Sequence, residues 1–169
     1  MTLCEAAARP SQALLDVVER WITGWSSTER DATEAALWAM KDEARRFVGR
    51  PGWLYRGQTI SDAEREAVLR EETITLTMPR LVSWSKHPVI ARDYAEGVRG
   101  IIIIKKDLQR VLDITRILRF LPKTVDAAGF PPDYVRYAFR EGEVVCQQDG
   151  PLEVAPNECR LMDDDPGQG

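Results

Sequence analysis

Apolar residues recur every three or four places through the opening of the chain. In "SQALLDVVERWITGW", Leu14, Val17, Val18, Trp21 and Ile22 fall on one side of a helix, with Gly24 as its stop. In "SSTERDATEAALWAMKDEARRFVG", Ala32, Ala36, Leu37, Met40, Ala44 and Phe47 keep the same period. Ser26 and Glu29 open it as a capping box, and Gly49 and Pro51 close it. Residues 1–50 are therefore predicted to be a helical layer. From Trp53 the period shortens. "WLYRG", "TITLTM" and "RLVSWS" read as strands, and the unbroken apolar run "GIIIIKK" as a buried one. Between them "SDAEREAVLREE", with Ser61 and Glu64 as its box, and "HPVIARDYAEG", with Pro88 at its first turn and Gly97 at its end, read as helices.

"DLQRVLDITRILRFL" holds a short helix and an edge strand, and "PKTVDAAGFPPDYVRYAF" is mixed and broken at Pro131 and Pro132. "GEVVCQQ" and "PLEVA" are predicted to pair around the turn "DG", and residues 163–169 to form a disordered polar tail. No repeat divides the chain. The expectation is one α+β domain over residues 1–162, with helices at 1–50 and a strand-rich core at 51–162.

Composition narrows the function classes. A net charge of −4 lacks the basic footprint of a general nucleic-acid binder. The cysteines, Cys4, Cys146 and Cys159, are odd in number and show neither disulfide nor metal-ligand spacing. With no apolar run of about 18 residues there is no membrane span, and the N-terminus lacks a secretory pattern. An intracellular protein is expected. His87, the only histidine, is too few for a helical zinc pair and would have to serve alone as base to any serine or cysteine nucleophile.

The candidate chemistry lies in three short stretches at predicted strand ends: "LYRG" at 54–57, "SWS" at 83–85 and "EGE" at 141–143. Singly each has an ordinary reading. Arg56 is a surface arginine beside a turn glycine, Ser83 and Ser85 are strand residues, Glu141 and Glu143 are the solvated face of an edge strand, and Tyr94 is core. On one strand Glu141 and Glu143 would point the same way, like charge beside like charge, at the mouth of an apolar run.

In order, spacing and strand context the three stretches together resemble the mono-ADP-ribosyltransferase superfamily, in its arginine–serine–glutamate branch, over roughly residues 53 to 155. The resemblance implies two small sheets packed at an angle around a cleft for NAD, and transfer of ADP-ribose from NAD to an arginine of a target protein. It implies Arg56 on the diphosphate, the backbone of Gly57 on the nicotinamide amide, Ser83 orienting the carboxylate of Glu143, Ser85 among the cofactor-binding residues, and Tyr94 stacked on nicotinamide. Glu141 would hold the acceptor guanidinium. Trp84 stands where the family has threonine, and is expected to face away from Ser83 into the core. No metal is implied. Small members of this kind are phage or bacterial effectors, which points to a target protein in the same cytoplasm, such as host transcription or defence machinery. Three alternatives stay open: an NAD glycohydrolase, a non-enzymatic binder of the same fold, and an unrelated module in which the three stretches never meet.

Overall fold

The computed structural model describes residues 9–23, 27–47, 52–96, 100–106, 108, 111–121 and 140–162. The expected helix punctuation at Gly24, Ser26, Gly49, Pro51 and Gly97, the mixed segment 122–139 and the tail lie outside the described residues.

Helix α1 (Gln12–Thr23) follows the predicted stripe and buries Leu14, Leu15, Val17, Val18 and Trp21. The second predicted helix tightens before it ends. Helix α2 (Ser27–Ala39) gives way at Met40, whose N–H is shared between the carbonyls of Ala36 and Leu37. The short α3 (Lys41–Ala44) and a 3₁₀ turn (Arg45–Phe47) complete the run. Helix α4 (Asp62–Leu69) carries the predicted capping box: Ser61 Oγ accepts from the Glu64 N–H, and Glu64 Oε2 accepts from the Ser61 N–H at 2.7 Å. Helix α5 (Pro88–Glu96) starts on the proline, and the short α6 (Ile114–Leu118) is capped by the Asp113 carboxylate.

Strands β1 (Trp53–Gln58), β3 (Leu81–Ser85), β4 (Ile101–Lys106), β5 (Val111–Asp113), β6 (Glu143–Gln147) and β8 (Cys159–Leu161) make a six-stranded antiparallel sheet in the order β5-β6-β3-β1-β4-β8. Strands β2 (Ile74–Leu76) and β7 (Leu152–Val154) make a separate antiparallel pair. The class is α+β, as expected, but one sheet is large rather than both small. β5 takes the expected edge position.

The predicted hairpin between β6 and the following strand does not form. Gly150 does turn the chain, at φ +95°. Strand β6, however, already has β5 on one side and β3 on the other, so neither of its edges is open. Strand β7 pairs instead with β2, setting Val154 opposite Ile74 and Leu152 opposite Leu76, all four buried. Strand β8, which was not expected, is a short strand that closes the far edge against β4.

Two apolar clusters cover the two faces of the large sheet. α1, α2, α3 and α6 pack on Leu81, Leu112 and Val145. The small sheet packs on Leu54, Val82, Trp84, Ile101, Ile103, Val144 and Cys146. Successive strand residues point to opposite faces. Ser83 and Ser85 therefore share the helix-covered face with Leu81, and Glu143 shares it with Val145. Trp84 faces away and fills the second core, as expected.

Candidate active site

Strands β1 and β3 meet at a single pair, Tyr55 with Ser85, although β1 pairs along its whole length with β4 on its other side. Where β1 and β3 part, Arg56 bridges them: its Nη1 donates to the carbonyl oxygen of Ser83 at 2.7 Å and its Nε to Gln58 Oε1 at 3.1 Å. Ser83 in turn donates from Oγ to Glu143 Oε1 at 2.7 Å. The ladder between β3 and β6 sets Ser83 opposite Val145 and Ser85 opposite Glu143. Two residues from distant parts of the chain thus converge on Ser83, its carbonyl serving the arginine and its hydroxyl the acid.

The helical layer enters the same site. Buried Trp21 donates from Nε1 to Glu143 Oε1 at 2.8 Å, so one carboxylate oxygen accepts two hydrogen bonds. Oε2 has no hydrogen-bond partner among the described residues. Arg30 of α2 lies over the Trp21 ring, 4.5 Å from ring centroid to guanidinium carbon, and donates to Ser83 Oγ at 3.2 Å. The residue pattern marked Trp21 only as an apolar helix position. Its one legible signal was chemical, since a buried indole N–H needs an acceptor. Arg30, on an exposed stretch of α2, carried no signal at all.

Glu141 is not on the strand. β6 begins at Glu143, and Gly142 precedes it at φ +58°, a conformation that favours glycine. Alternation along a strand therefore does not place Glu141; the turn does. Gly142 packs so closely on His87 that a Cβ would lie 2.7 Å from its Cδ2. The Lys86 N–H donates to the Gly142 carbonyl at 3.1 Å. The Ser85 hydroxyl donates to the Glu141 carbonyl and accepts from the His87 N–H at 2.9 Å. Ser85 is buried, and its hydroxyl holds this turn and the residue before α5. His87 immediately precedes α5, which begins at Pro88 as expected.

The two carboxylates still sense one another. Burial, then the charge of Glu143, raises the pKa of Glu141 above the usual range, offset by the Tyr94 hydroxyl and the charge of Arg30. Tyr94 is 63 % exposed and donates from its hydroxyl to Glu141 Oε1 at 3.3 Å. Burial and then Glu141 push that hydroxyl's pKa up, which keeps it a donor. Tyr94 was expected to meet nicotinamide; its observed partner is Glu141.

The absence of a side chain at Gly57 has a packing reason. A Cβ there would lie 2.1 Å from the Ala91 carbonyl oxygen and 2.8 Å from the Tyr94 Cβ, so the missing side chain lets α5 lie against β1. The end of β3 is pinned from its other side, where Lys86 Nζ pairs with buried Asp113 Oδ2 at 2.5 Å. Burial, then the charge of Asp149, pushes the Cys146 thiol up to about 11, which disfavours its thiolate form.

The arrangement holds an acid by one oxygen, a guanidinium beside it, and a second acid one turn away. That set suits stabilising positive charge on a sugar carbon while binding an anion next to it. Compared with known protein families, with curated proteins and with solved structures, the chain matches none.

Proposed function

We propose that this chain is a mono-ADP-ribosyltransferase of the arginine–serine–glutamate type, moving ADP-ribose from NAD to an arginine side chain of a target protein and releasing nicotinamide. One observation carries the reading: Arg56 and Glu143, 87 residues apart in the sequence, both bond to Ser83.

Cleavage of the nicotinamide–ribose bond passes through a state with positive charge on the ribose. Glu143, fixed through Oε1 by Ser83 and Trp21, presents a negative charge whose second oxygen is open to a ribose hydroxyl. The fork of Arg56 suits phosphate oxygens. Glu141 is suited to the acceptor. A carboxylate near a second carboxylate gains from a guanidinium, and binding one offsets the burial, and then the repulsion from Glu143, that raise its pKa. The guanidinium nitrogen attacks the anomeric carbon, nicotinamide leaves with the electron pair of the broken bond, and the nitrogen sheds its proton. The target is taken to be a protein of the same cytoplasm, in the manner of small phage or bacterial effectors.

The test is incubation with NAD, with and without a cell lysate, followed by mass spectrometry of the lysate proteins. Expected are acceptor-dependent nicotinamide release and one ADP-ribose on an arginine. Glu143→Gln should lower both about 100- to 1,000-fold. Release at the same rate with and without lysate would replace the transferase with a glycohydrolase. No release at all would overturn both.

A further inference from the structure

Arg30 and Arg56 reach Ser83 from different layers, one from α2 and one from β1. Arg30 Nη2 donates to its hydroxyl at 3.2 Å, and Arg56 Nη1 to its carbonyl at 2.7 Å. The remaining acceptor for Arg56 is the neutral amide oxygen of Gln58. Among the described residues neither guanidinium forms an ion pair. Two like charges are therefore held around one serine with no counterion in direct contact among the described residues, Glu143 being reached only through the Ser83 hydroxyl. Their repulsion adds to burial in pulling the pKa of Arg56 down. The geometry leaves donors to spare. A guanidinium carries five N–H groups, and the Arg56 Nη2 and the Arg30 Nε and Nη1 have no hydrogen-bond acceptor among the described residues. Trp21 holds the Arg30 plane by a cation–π contact at 4.5 Å, so the fork is oriented before any ligand arrives.

We infer that Arg30 and Arg56 are the two arms of a clamp for a diphosphate, one arm supplied by the N-terminal helical layer. A bridging dianion would neutralise both cations and take up their spare donors in charge-assisted hydrogen bonds. The clamp itself stands on the paired guanidiniums. Its assignment to the diphosphate of a dinucleotide rests on the function proposed above. The opposing view is that Arg30, which lies within the field of Glu141, fills the place of an acceptor arginine and blocks the cleft.

Calorimetric titration of the full chain with inorganic pyrophosphate, and separately with NAD, at low ionic strength tests this. The wild-type protein is expected to bind both, more weakly as salt is added. Arg30→Gln should weaken both by about tenfold, and Arg30→Lys, which keeps the charge without the fork, should fall between. Arg30 is exposed, so the variants should melt with the wild type, and the comparison stays one of binding. Equal affinities for wild type and Arg30→Gln, tighter NAD binding by that variant, or failure of the wild type to bind either ligand overturns the clamp. Pyrophosphate affinity that depends on Arg30 in a protein releasing no nicotinamide upholds the clamp and removes the transferase. Normal nicotinamide release with NAD affinity indifferent to Arg30→Gln does the reverse.

Discussion

The indole N–H of Trp21 donates to Oε1 of Glu143 across 2.8 Å, joining the first helix to a residue 122 places later. Because Ser83 donates to the same oxygen, the carboxylate is held from the helical layer and from the neighbouring strand at once. Trp21→Phe keeps most of the buried ring and deletes only the donor. A hydrogen bond to a charged group contributes about 1.5–3 kcal/mol. If the chain acts as proposed, the kcat for nicotinamide release is expected to fall about tenfold or more, with little change in the KM for NAD. An unchanged kcat would reduce Trp21 to packing. Trp21→Ala removes the ring as well and should cost about 3–5 kcal/mol of stability by thermal unfolding.

Ser83→Ala removes the other donor to Oε1 but leaves the backbone carbonyl that Arg56 uses. It should slow the reaction at least as much as Trp21→Phe while NAD affinity moves less. The two substitutions act on one oxygen, so their effects should not add. A coupling energy of about 0.5–3 kcal/mol is expected for residues sharing a partner, and a double-mutant cycle on kcat measures it. Strict additivity would mean that the two donors hold Glu143 independently.

Gly57→Ala puts a methyl group 2.1 Å from the Ala91 carbonyl oxygen, which belongs to the backbone of α5 and has little freedom to yield. Overpacking of this kind costs about 1–3 kcal/mol or more. The melting temperature should fall. Because Tyr94 rides on α5 and bonds to Glu141, acceptor modification should suffer more than nicotinamide release into water. A melting temperature equal to the wild type's would show that β1 and α5 are less tightly apposed.

Glu141 gives a prediction with a definite sign. Its folded pKa is raised, by burial first and Glu143 second. The protonated form is thus favoured by folding. The stabilisation this brings is fully present below the unfolded pKa of about 4.3 and is lost as pH rises through the higher folded value. At neutral pH the ionised group is a burden, so Glu141→Gln should melt above the wild type at pH 7, with the gap closing on acidification. Under the proposed function, in which the ionised acid holds the acceptor guanidinium, transfer to arginine should move the other way and fail at a pH above that at which an ordinary glutamate protonates. A wild-type profile flat through that range would remove Glu141 from the acceptor site.

Much of the architecture was legible because its periods are long and uniform. The stripe of α1, the Ser61–Glu64 box and the Ile101–Ile104 run each point to one element. The meeting of Arg56, Ser83 and Glu143 was legible from residue type and order within strand-like stretches. What escaped were relations that no local pattern encodes. "DG" does turn the chain, yet turn chemistry cannot report that β6 has strands on both edges. Alternation put Glu141 on the face of Glu143, but it presumes a strand two residues before the strand starts. Helical period identified Trp21 as buried and said nothing of where its N–H would aim. For Arg30 even burial was missing as a signal.

The pairing of β7 with β2, and of β8 with β4, has a consequence for how the protein comes off the ribosome. Glu143 is synthesised 122 residues after Trp21, roughly 6 to 24 seconds later at ordinary elongation rates, and the strands that finish both sheets follow it. The nascent chain therefore carries its arginine and serine without the acid they serve. The bonds from Trp21 and Ser83 to Glu143 can form only after translation has passed that point, so the site is among the last parts of the fold to be assembled.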